Sequence, residues 1–384
     1  MNASRLDATT RRADGVSVVL PCLNEAATVG PSVRKALEGI ERSGRTGEVV
    51  VADNGSSDGS DAIAERAGAR VVHAPVRGYG AALRRGFAEA KHDIVVMADA
   101  DDTYDLENLA AVVAPVASGA DLALANRFAD IRDGAMPWLH RRVGTPAINL
   151  LLRLAYGVRV GDSQSGYRAI RRSQLERLDL RSDGMELASE MLIKASRIGL
   201  HITEAPSSYS VRRGESKLRS LRDGWRHLRL ILLLAPTLVF LVPGVCLMLL
   251  GLLTFAAGFG LGGAIEVGTL RWQPVFAGPI FVVLGANALG MWLIGRARLV
   301  RRGLASPSRR LLWTQHPRWL EMSLIGGSLS ALVGVLIDLY LFNQWVAASR
   351  TSPLGPQLAA LAQTLIIVGA NIVFLGFLSA SSDV

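Results

Sequence analysis

Two aspartates one residue apart, Asp99 and Asp101, follow the short apolar run Ile94–Ala98. Alternate side chains of an extended segment share one side, so the pair can present two carboxylates to one divalent cation. A metal held by one or two carboxylates and by phosphate oxygens neutralises a departing diphosphate. Taken alone, Asp-x-Asp equally suits an exposed acidic turn. Other groups invite related chemistry. Arg77-Gly78-Tyr79-Gly80 precedes a helical stretch, where backbone N–H groups can meet phosphate or the chain simply turns tightly. It lacks the Gly-x-x-x-x-Gly-Lys-Ser/Thr pattern of a P-loop. Arg127 and Arg141 have the fork geometry for bidentate phosphate contacts.

The elements that must position these groups alternate between strand and helix. Val16–Leu20, Glu48–Ala52, Arg70–His73, Ile94–Ala98 and Asp121–Ala125 read as strands, with helical stretches between them. That alternation predicts a mostly parallel sheet covered by helices on both faces. Ligands of such sheets bind beyond the carboxyl ends of the strands. The acidic clusters Asp53-Asn54-Gly55-Ser56-Ser57-Asp58-Gly59 and Asp99-Ala100-Asp101-Asp102 both fall there, which predicts one shared site.

The chain has 384 residues, enough for two domains, and half of them are hydrophobic. Up to about residue 215 charged and apolar residues mix as in a globular domain; beyond Leu228 long apolar runs dominate. Four stretches, at about 238–259, 275–294, 322–342 and 358–378, have the roughly 20 apolar residues a bilayer span requires. Before them, Leu218, Leu221, Trp225, Leu228 and Leu232 recur at helical spacing among Arg219, Arg222, Arg226 and Arg229. This predicts a basic amphipathic helix over 216–235 lying in the headgroup layer or, alternatively, packed on the preceding domain. Residues 1–14 are polar, without the apolar core of a signal peptide, and are expected to be disordered.

The net charge of +9 gathers beside the apolar runs, which favours a membrane surface over nucleic acid. Cys22 and Cys246 make neither a disulfide framework nor a zinc-ligand spacing. Arg296, Arg298, Arg301, Arg302, Arg309, Arg310 and Arg318 follow the second span, against Arg271 and Arg350 in the other two loops. Positive residues stay cytoplasmic, so the first domain and both termini are expected in the cytoplasm of a multi-pass inner-membrane protein. Asp338, inside the third span, is a functional candidate on cost grounds, or a side chain that pairs locally. The spans also offer a surface for homo-oligomer formation.

The ordered segments Leu20-Pro21-Cys22-Leu23-Asn24-Glu25, Ala52-Asp53-Asn54-Gly55-Ser56-Ser57-Asp58-Gly59, Gly78-Tyr79-Gly80-Ala81-Ala82-Leu83 and Asp99-Ala100-Asp101 resemble family 2 glycosyltransferases of GT-A fold. With Asp162-Ser163-Gln164-Ser165-Gly166-Tyr167-Arg168 and Arg212-Arg213-Gly214-Glu215-Ser216-Lys217, they resemble specifically the dolichol/polyprenyl-phosphate sugar synthases, over residues 16–217. The resemblance implies a Rossmann-like GT-A domain over 15–215 and, after the amphipathic helix, a membrane domain over 236–384. It implies donor contacts from Pro21, Asn24, Glu25, Asp53, Gly80, Asp99, Ala100 and Asp101. Mg2+ or Mn2+ would sit on Asp99 and Asp101, with Thr103 standing where relatives often place a Gln ligand. Arg127, Arg141, Arg212, Ser216 and Lys217 would meet the acceptor phosphate, and Arg213 can substitute for Arg212.

The Gln-x-x-Arg-Trp motif of processive synthases is absent before the first span, which predicts one sugar per visit. The implied reaction moves a sugar, with inversion, from a GDP-mannose or UDP-hexose type donor to polyprenyl phosphate. That acceptor is already an anion, so Asp101, Arg127, Arg212 and Lys217 would act by charge and position. Glu190 stands near the place of a base in relatives with hydroxyl acceptors and is expected to shape electrostatics or structure instead. The alternative acceptor is a glycolipid or diacylglycerol hydroxyl, for which Glu190 would have to remove a proton.

Overall fold

The computed structural model describes residues 15–212, 220–260, 265–267, 270–272, 274–301, 318–348 and 355–381. The segment expected to be disordered, 1–14, lies outside these residues, as do Arg213, Ser216, Lys217 and the basic loop 302–317. The chain divides between Leu233 and Leu234 into two compact units.

In the first unit, β1 (Val16–Cys22), α1 (Val29–Arg42), β2 (Gly47–Asp53), α2 (Ser60–Arg66), β3 (Arg70–His73), α3 (Tyr79–Glu89) and β4 (Ile94–Met97) form an alternating run. They are followed by α4 (Ala110–Ala117), β5 (Leu122–Ile131), α5 (Thr145–Tyr156), β6 (Arg168–Arg171), α6 (Arg172–Leu178), α7 (Leu187–Arg197), β7 (Ile202–Tyr209) and α8 (Ser220–Leu233). The strands make one seven-stranded sheet in the order β3-β2-β1-β4-β6-β5-β7. All neighbours are parallel except those of β6, which runs antiparallel to both β4 and β5.

Central strands read as unbroken apolar runs because both faces are covered: Val16, Val18, Val19 and Leu20 of β1 are fully buried. On α1 the buried Val29, Val33, Ala36 and Ile40 recur at spacings of three and four, the stripe a sheet-packed helix needs. Close contact is built in at Gly86, where an added Cβ would stand 2.3 Å from Val19 Cγ1.

The helix before the membrane unit turns inward a face other than the one that carries Trp225. His227 and Ile231 of α8 are buried, while Trp225 is 61% exposed. His227 Nδ1 lies 2.8 Å from Ser189 Oγ of α7, and the Tyr156 hydroxyl of α5 donates to the Ile231 carbonyl at 2.5 Å. A polar contact therefore fixes which way α8 faces, and its inner side is packed on α5 and α7.

Among its described residues the second unit holds four helices long and apolar enough to cross a membrane: Thr237–Gly260, Ala277–Arg301, Trp319–Ala347 and Gly355–Ala380. This is a membrane protein. At 1.5 Å per residue each exceeds the roughly 30 Å apolar core of a bilayer. Lipid supplies no hydrophobic drive between helices, so close backbone approach at small residues holds them. A Cβ on Gly327 would stand 2.5 Å from the Gly369 carbonyl oxygen, and one on Gly251 2.7 Å from the Val282 nitrogen. Asp338 is half-buried on the third of these helices.

Candidate active site

The loops after β1, β2 and β4 gather at the carboxyl edge of the sheet, as the strand order requires. The first two are stitched together by their own side chains. The Asn24 Oδ1 accepts from Ser57 N at 2.8 Å, and Ser60 Oγ accepts from Glu25 N at 2.8 Å. Ala26 N donates to Asp58 Oδ2 at 3.0 Å. Asn24 takes a positive φ of 52° to make this junction, a conformation Asn tolerates better than most residues. Asp53, expected to contact the donor, accepts from Gly55 N at 3.0 Å and Ser56 N at 3.1 Å. It shapes the loop as well as facing it. Pro21 and Ala100 lie beside these loops, the latter buried.

Asp99 and Asp101 are held by different partners. Asp99 Oδ1 accepts from the Tyr79 hydroxyl at 2.8 Å. Burial first, and the Asp101 charge second, push the Asp99 carboxyl up to about 7. Asp101 Oδ1 accepts from Thr103 Oγ1 at 2.6 Å and Thr103 N at 3.2 Å. Thr103, expected as a metal ligand, instead uses its hydroxyl proton to orient Asp101. The other oxygen, Oδ2, lies 3.2 Å from Arg212 Nη1, and Arg212 Nη2 reaches Glu25 Oε1 at 2.6 Å. One guanidinium thus joins the β1 and β4 loops.

The donor set fits a divalent cation. Two carboxylates crowded enough to raise one pKa suit a hard cation that takes its remaining oxygens from phosphates and water. Among the described residues no three His, Cys, Asp or Glu side chains converge on one point, so the protein would supply the two aspartates.

Arg127, expected at phosphate, is 9% exposed and committed to Asp162. Its Nε donates to Asp162 Oδ2 at 2.7 Å and its Nη2 to Oδ1 at 2.9 Å, beneath the Tyr209 ring. Two of its donors are thereby taken. Gly80, expected near phosphate, donates its amide to the Asp183 carbonyl at 2.9 Å. A Cβ there would stand 2.4 Å from the Ser182 carbonyl oxygen, so this glycine serves a close turn. Arg141 is exposed in the helical turn His140–Gly144, and no contact among the described residues links it to Asp99 or Asp101.

Glu190 is buried and ion-paired with Lys194 at 2.6 Å. It also accepts from Arg181 N at 3.0 Å and Ser182 N at 2.8 Å. Burial disfavours its charge, but the Lys194 ammonium and the Ser182 amide outweigh that and hold its carboxyl below the usual carboxylate range. Its geometry is that of a clamp on the 181–184 loop, which in turn covers Gly80.

Sequence reasoning passed over Tyr79, Asn54 and Asp162. Asn54 is buried and bridges loops, donating to the Ala74 and Val76 carbonyls and accepting from Gly78 N at 2.8 Å. Each sits inside a motif already singled out, yet its partner lies 20 or more residues away. Arg168, fully buried on β6, donates to the Ser163, Ser165 and Ala188 carbonyls.

Comparison with known proteins matches residues 17–179 to Glycosyl transferase family 2 and residues 293–382 to the Glycosyltransferase family 2 C-terminal transmembrane region. The low-salt glycan biosynthesis hexosyltransferase Agl6 of Haloferax volcanii is 34% identical over 384 residues, covering 98% of this chain and 91% of that protein. A dolichyl-phosphate hexose transferase of the same organism is 34% identical over 215 residues, 55% of this chain and 90% of that protein. Among solved structures, glucosyl-3-phosphoglycerate synthase from Mycobacterium tuberculosis, in complex with Mn2+, UDP-glucose and phosphoglyceric acid, is 26% identical. It covers 59% of this chain and 80% of that one, with a TM-score of 0.46.

Proposed function

The chain belongs to glycosyl transferase family 2, and from that premise we propose that it transfers one sugar from a nucleotide sugar to a polyprenyl phosphate at the cytoplasmic membrane face. The observation behind this reading is the Arg212 bridge to Glu25 and Asp101. It joins the acidic site to the segment that leads, through α8, into the membrane helices. The name of the dolichyl-phosphate hexose transferase relative supports the same acceptor class.

The donor lies across the stitched loops after β1 and β2, with its diphosphate toward Asp99 and Asp101. Those two carboxylates hold Mg2+ or Mn2+, which when bound neutralises charge on the departing nucleoside diphosphate. Tyr79 and Thr103 fix the two carboxylates by hydrogen bonds, so little reorganisation accompanies the reaction. A phosphate oxygen of the acceptor attacks the anomeric carbon as the bond to the diphosphate oxygen breaks, inverting that centre. The attacking oxygen carries no proton at neutral pH. A general base is therefore unnecessary, in keeping with a Glu190 that is committed to Lys194 and the 181–184 amides. Arg212, once drawn from Asp101, is placed to meet the acceptor phosphate. The arginine excess between the second and third membrane helices supports a cytoplasmic active site.

Purified enzyme, polyprenyl phosphate and a panel of radiolabelled nucleotide sugars, with and without Mn2+, provide the test. One labelled sugar should appear on the lipid phosphate, alkali-stable or acid-labile as a phosphodiester dictates. Transfer to diacylglycerol but not to polyprenyl phosphate would refute the reading.

A further inference from the structure

The membrane helices pack in two tight pairs. The first and second meet at Gly251 and Gly278, where an added Cβ would stand 2.7 Å from Val282 Cγ2 and 3.1 Å from the Phe255 ring. The third and fourth meet at Gly334 and Gly369, with the Ala362 and Gly327 carbonyl oxygens 2.5 Å and 2.4 Å from such a Cβ. Among the described residues no glycine makes that approach between the first and fourth helices. There Leu252, Phe255 and Phe259 of the first and Leu361 and Leu365 of the fourth line a slot of about 300 Å³. Its wall is apolar, because the one hydroxyl on it, Thr364 Oγ1, donates to the Ala360 carbonyl of its own helix at 2.6 Å.

One end of the slot carries a polar group. Gln357 precedes Leu361 by about one turn on the same side of the fourth helix, and it is 6% exposed. Its Nε2 reaches the Gly258 carbonyl at 3.5 Å. That carbonyl lies in the last turn of a helix ending at Gly260, where helical partners run out. The contact turns the amide nitrogen toward the first helix. Gln357 Oε1 is left buried with no hydrogen-bond partner among the described residues. Hydrocarbon offers no water to satisfy such an oxygen.

The slot is confined to one leaflet. The end of the first helix and the starts of the second and fourth form it, so it lies away from the arginines between Arg296 and Arg318. From Gln357 to Val368, the far residue of the lining, the helix rises about 16 Å. Half of a bilayer's apolar core is roughly 15 Å. An acyl chain of one leaflet has that reach. A carbonyl oxygen only accepts, so the head group above the chain must bring an N–H or O–H. Ammonium and hydroxyl heads have one, and a choline head has none.

We propose that the slot between the first and fourth membrane helices binds one glycerophospholipid of the leaflet opposite the arginine-rich loop. Its acyl chain lies against Phe255 and Leu365, and its head group donates to Gln357 Oε1. The lipid closes a seam that the protein's own side chains leave open. This goes beyond the proposed function and does not rest on it.

The test uses the full chain in nanodiscs, one copy per disc, with a trace of phosphatidylethanolamine or phosphatidylcholine carrying a diazirine in its acyl chain. Mass spectrometry of the illuminated protein maps the label. Phosphatidylethanolamine should label 252–259 and 361–368 several-fold more than Leu336 and Leu339, which are exposed on the third helix. Phosphatidylcholine should label both regions alike. Gln357→Leu should bring phosphatidylethanolamine labelling of the slot down to the phosphatidylcholine level, and Leu361→Trp, which fills the slot, should do the same. Unlabelled phosphatidylethanolamine should also raise the thermal midpoint of the wild type above its value in phosphatidylcholine, and this difference should vanish in Gln357→Leu. Equal labelling of the wild-type slot by the two lipids would overturn the proposal, and that comparison needs no variant. Preferential labelling that survives Leu361→Trp would overturn it as well. So would label displaced by polyprenyl phosphate but not by unlabelled phosphatidylethanolamine, which would give the slot to a polyisoprenoid chain. Loss of label only when two copies share a disc would make it a chain–chain contact instead.

Discussion

Arg212 pairs with Asp101 on the one carboxylate oxygen that Thr103 leaves open: Nη1 to Oδ2 is 3.2 Å, while Oδ1 accepts from the Thr103 hydroxyl at 2.6 Å. A guanidinium and a metal cannot both occupy that oxygen at full strength, so in the proposed reading Arg212 and a cation would compete for Asp101.

Replacing Arg212 by Ala removes the competitor and the proposed phosphate contact together. Mn2+-dependent nucleotide binding, followed by calorimetry, should stay the same or tighten. Turnover with a polyprenyl phosphate should fall by about 100-fold, or roughly 2.7 kcal/mol of transition-state stabilisation. Loss of nucleotide binding in this variant would place Arg212 on the donor instead.

Thr103→Val deletes the hydroxyl that turns Asp101. Groups that orient metal ligands contribute roughly 10–100-fold to affinity, so Mn2+ binding in the presence of nucleoside diphosphate should weaken by about that factor. Paramagnetic resonance titration of free Mn2+ reads it directly. Thr103→Ser, which keeps the hydroxyl, should restore most of the affinity.

Glu190→Gln leaves the Lys194 ammonium buried without its counter-charge. Breaking such a pair costs about 3–5 kcal/mol, and thermal denaturation should register it as a marked drop in midpoint. The surviving folded enzyme should retain the acid limb of its pH–rate profile unmoved. A limb that disappears would make Glu190 the base of a hydroxyl-accepting enzyme.

His227 supplies a pH dependence with a defined sign. Burial lowers its pKa from 6.5 to about 4. Between these values the unfolded chain holds a proton that the folded chain does not. Its contribution is therefore fully present above pH 6.5 and is lost as pH falls toward 4, by about 3 kcal/mol in all. Denaturant midpoints measured from pH 7 to pH 5 should decline in the wild type and flatten in His227→Gln. A parallel decline in both would show that other groups dominate.

Much of this architecture was legible from pattern alone. Fully covered parallel strands have no polar face, so β1, β2 and β4 stand out as apolar runs, and the aspartates at the ends of β2 and β4 mark the candidate site. β6 escaped because Arg168 and Arg171 break that pattern. Arg168 is buried by means of three backbone carbonyls that no local spacing announces. Arg127 looked like a free phosphate ligand because its partner, Asp162, is 35 residues away. On α8 the Leu/Trp spacing left two readings open, headgroup layer or packing on the domain; the His227–Ser189 contact, which no local spacing announces, turns a different face inward and leaves Trp225 outside.

The stitching of Asn24 to Ser57, Glu25 to Ser60 and Ala26 to Asp58 has a thermodynamic consequence. A pocket whose loops already satisfy one another loses little conformational entropy when a nucleotide enters. Donor capture should therefore resemble a rigid lock, discriminating bases by shape with a small heat-capacity change beyond the ligand's own burial. In the proposed reaction the ordering penalty would be deferred to the lipid-binding step, where Arg212 would have to leave Asp101. Slow association of lipid after rapid association of nucleotide would be the kinetic trace of that division.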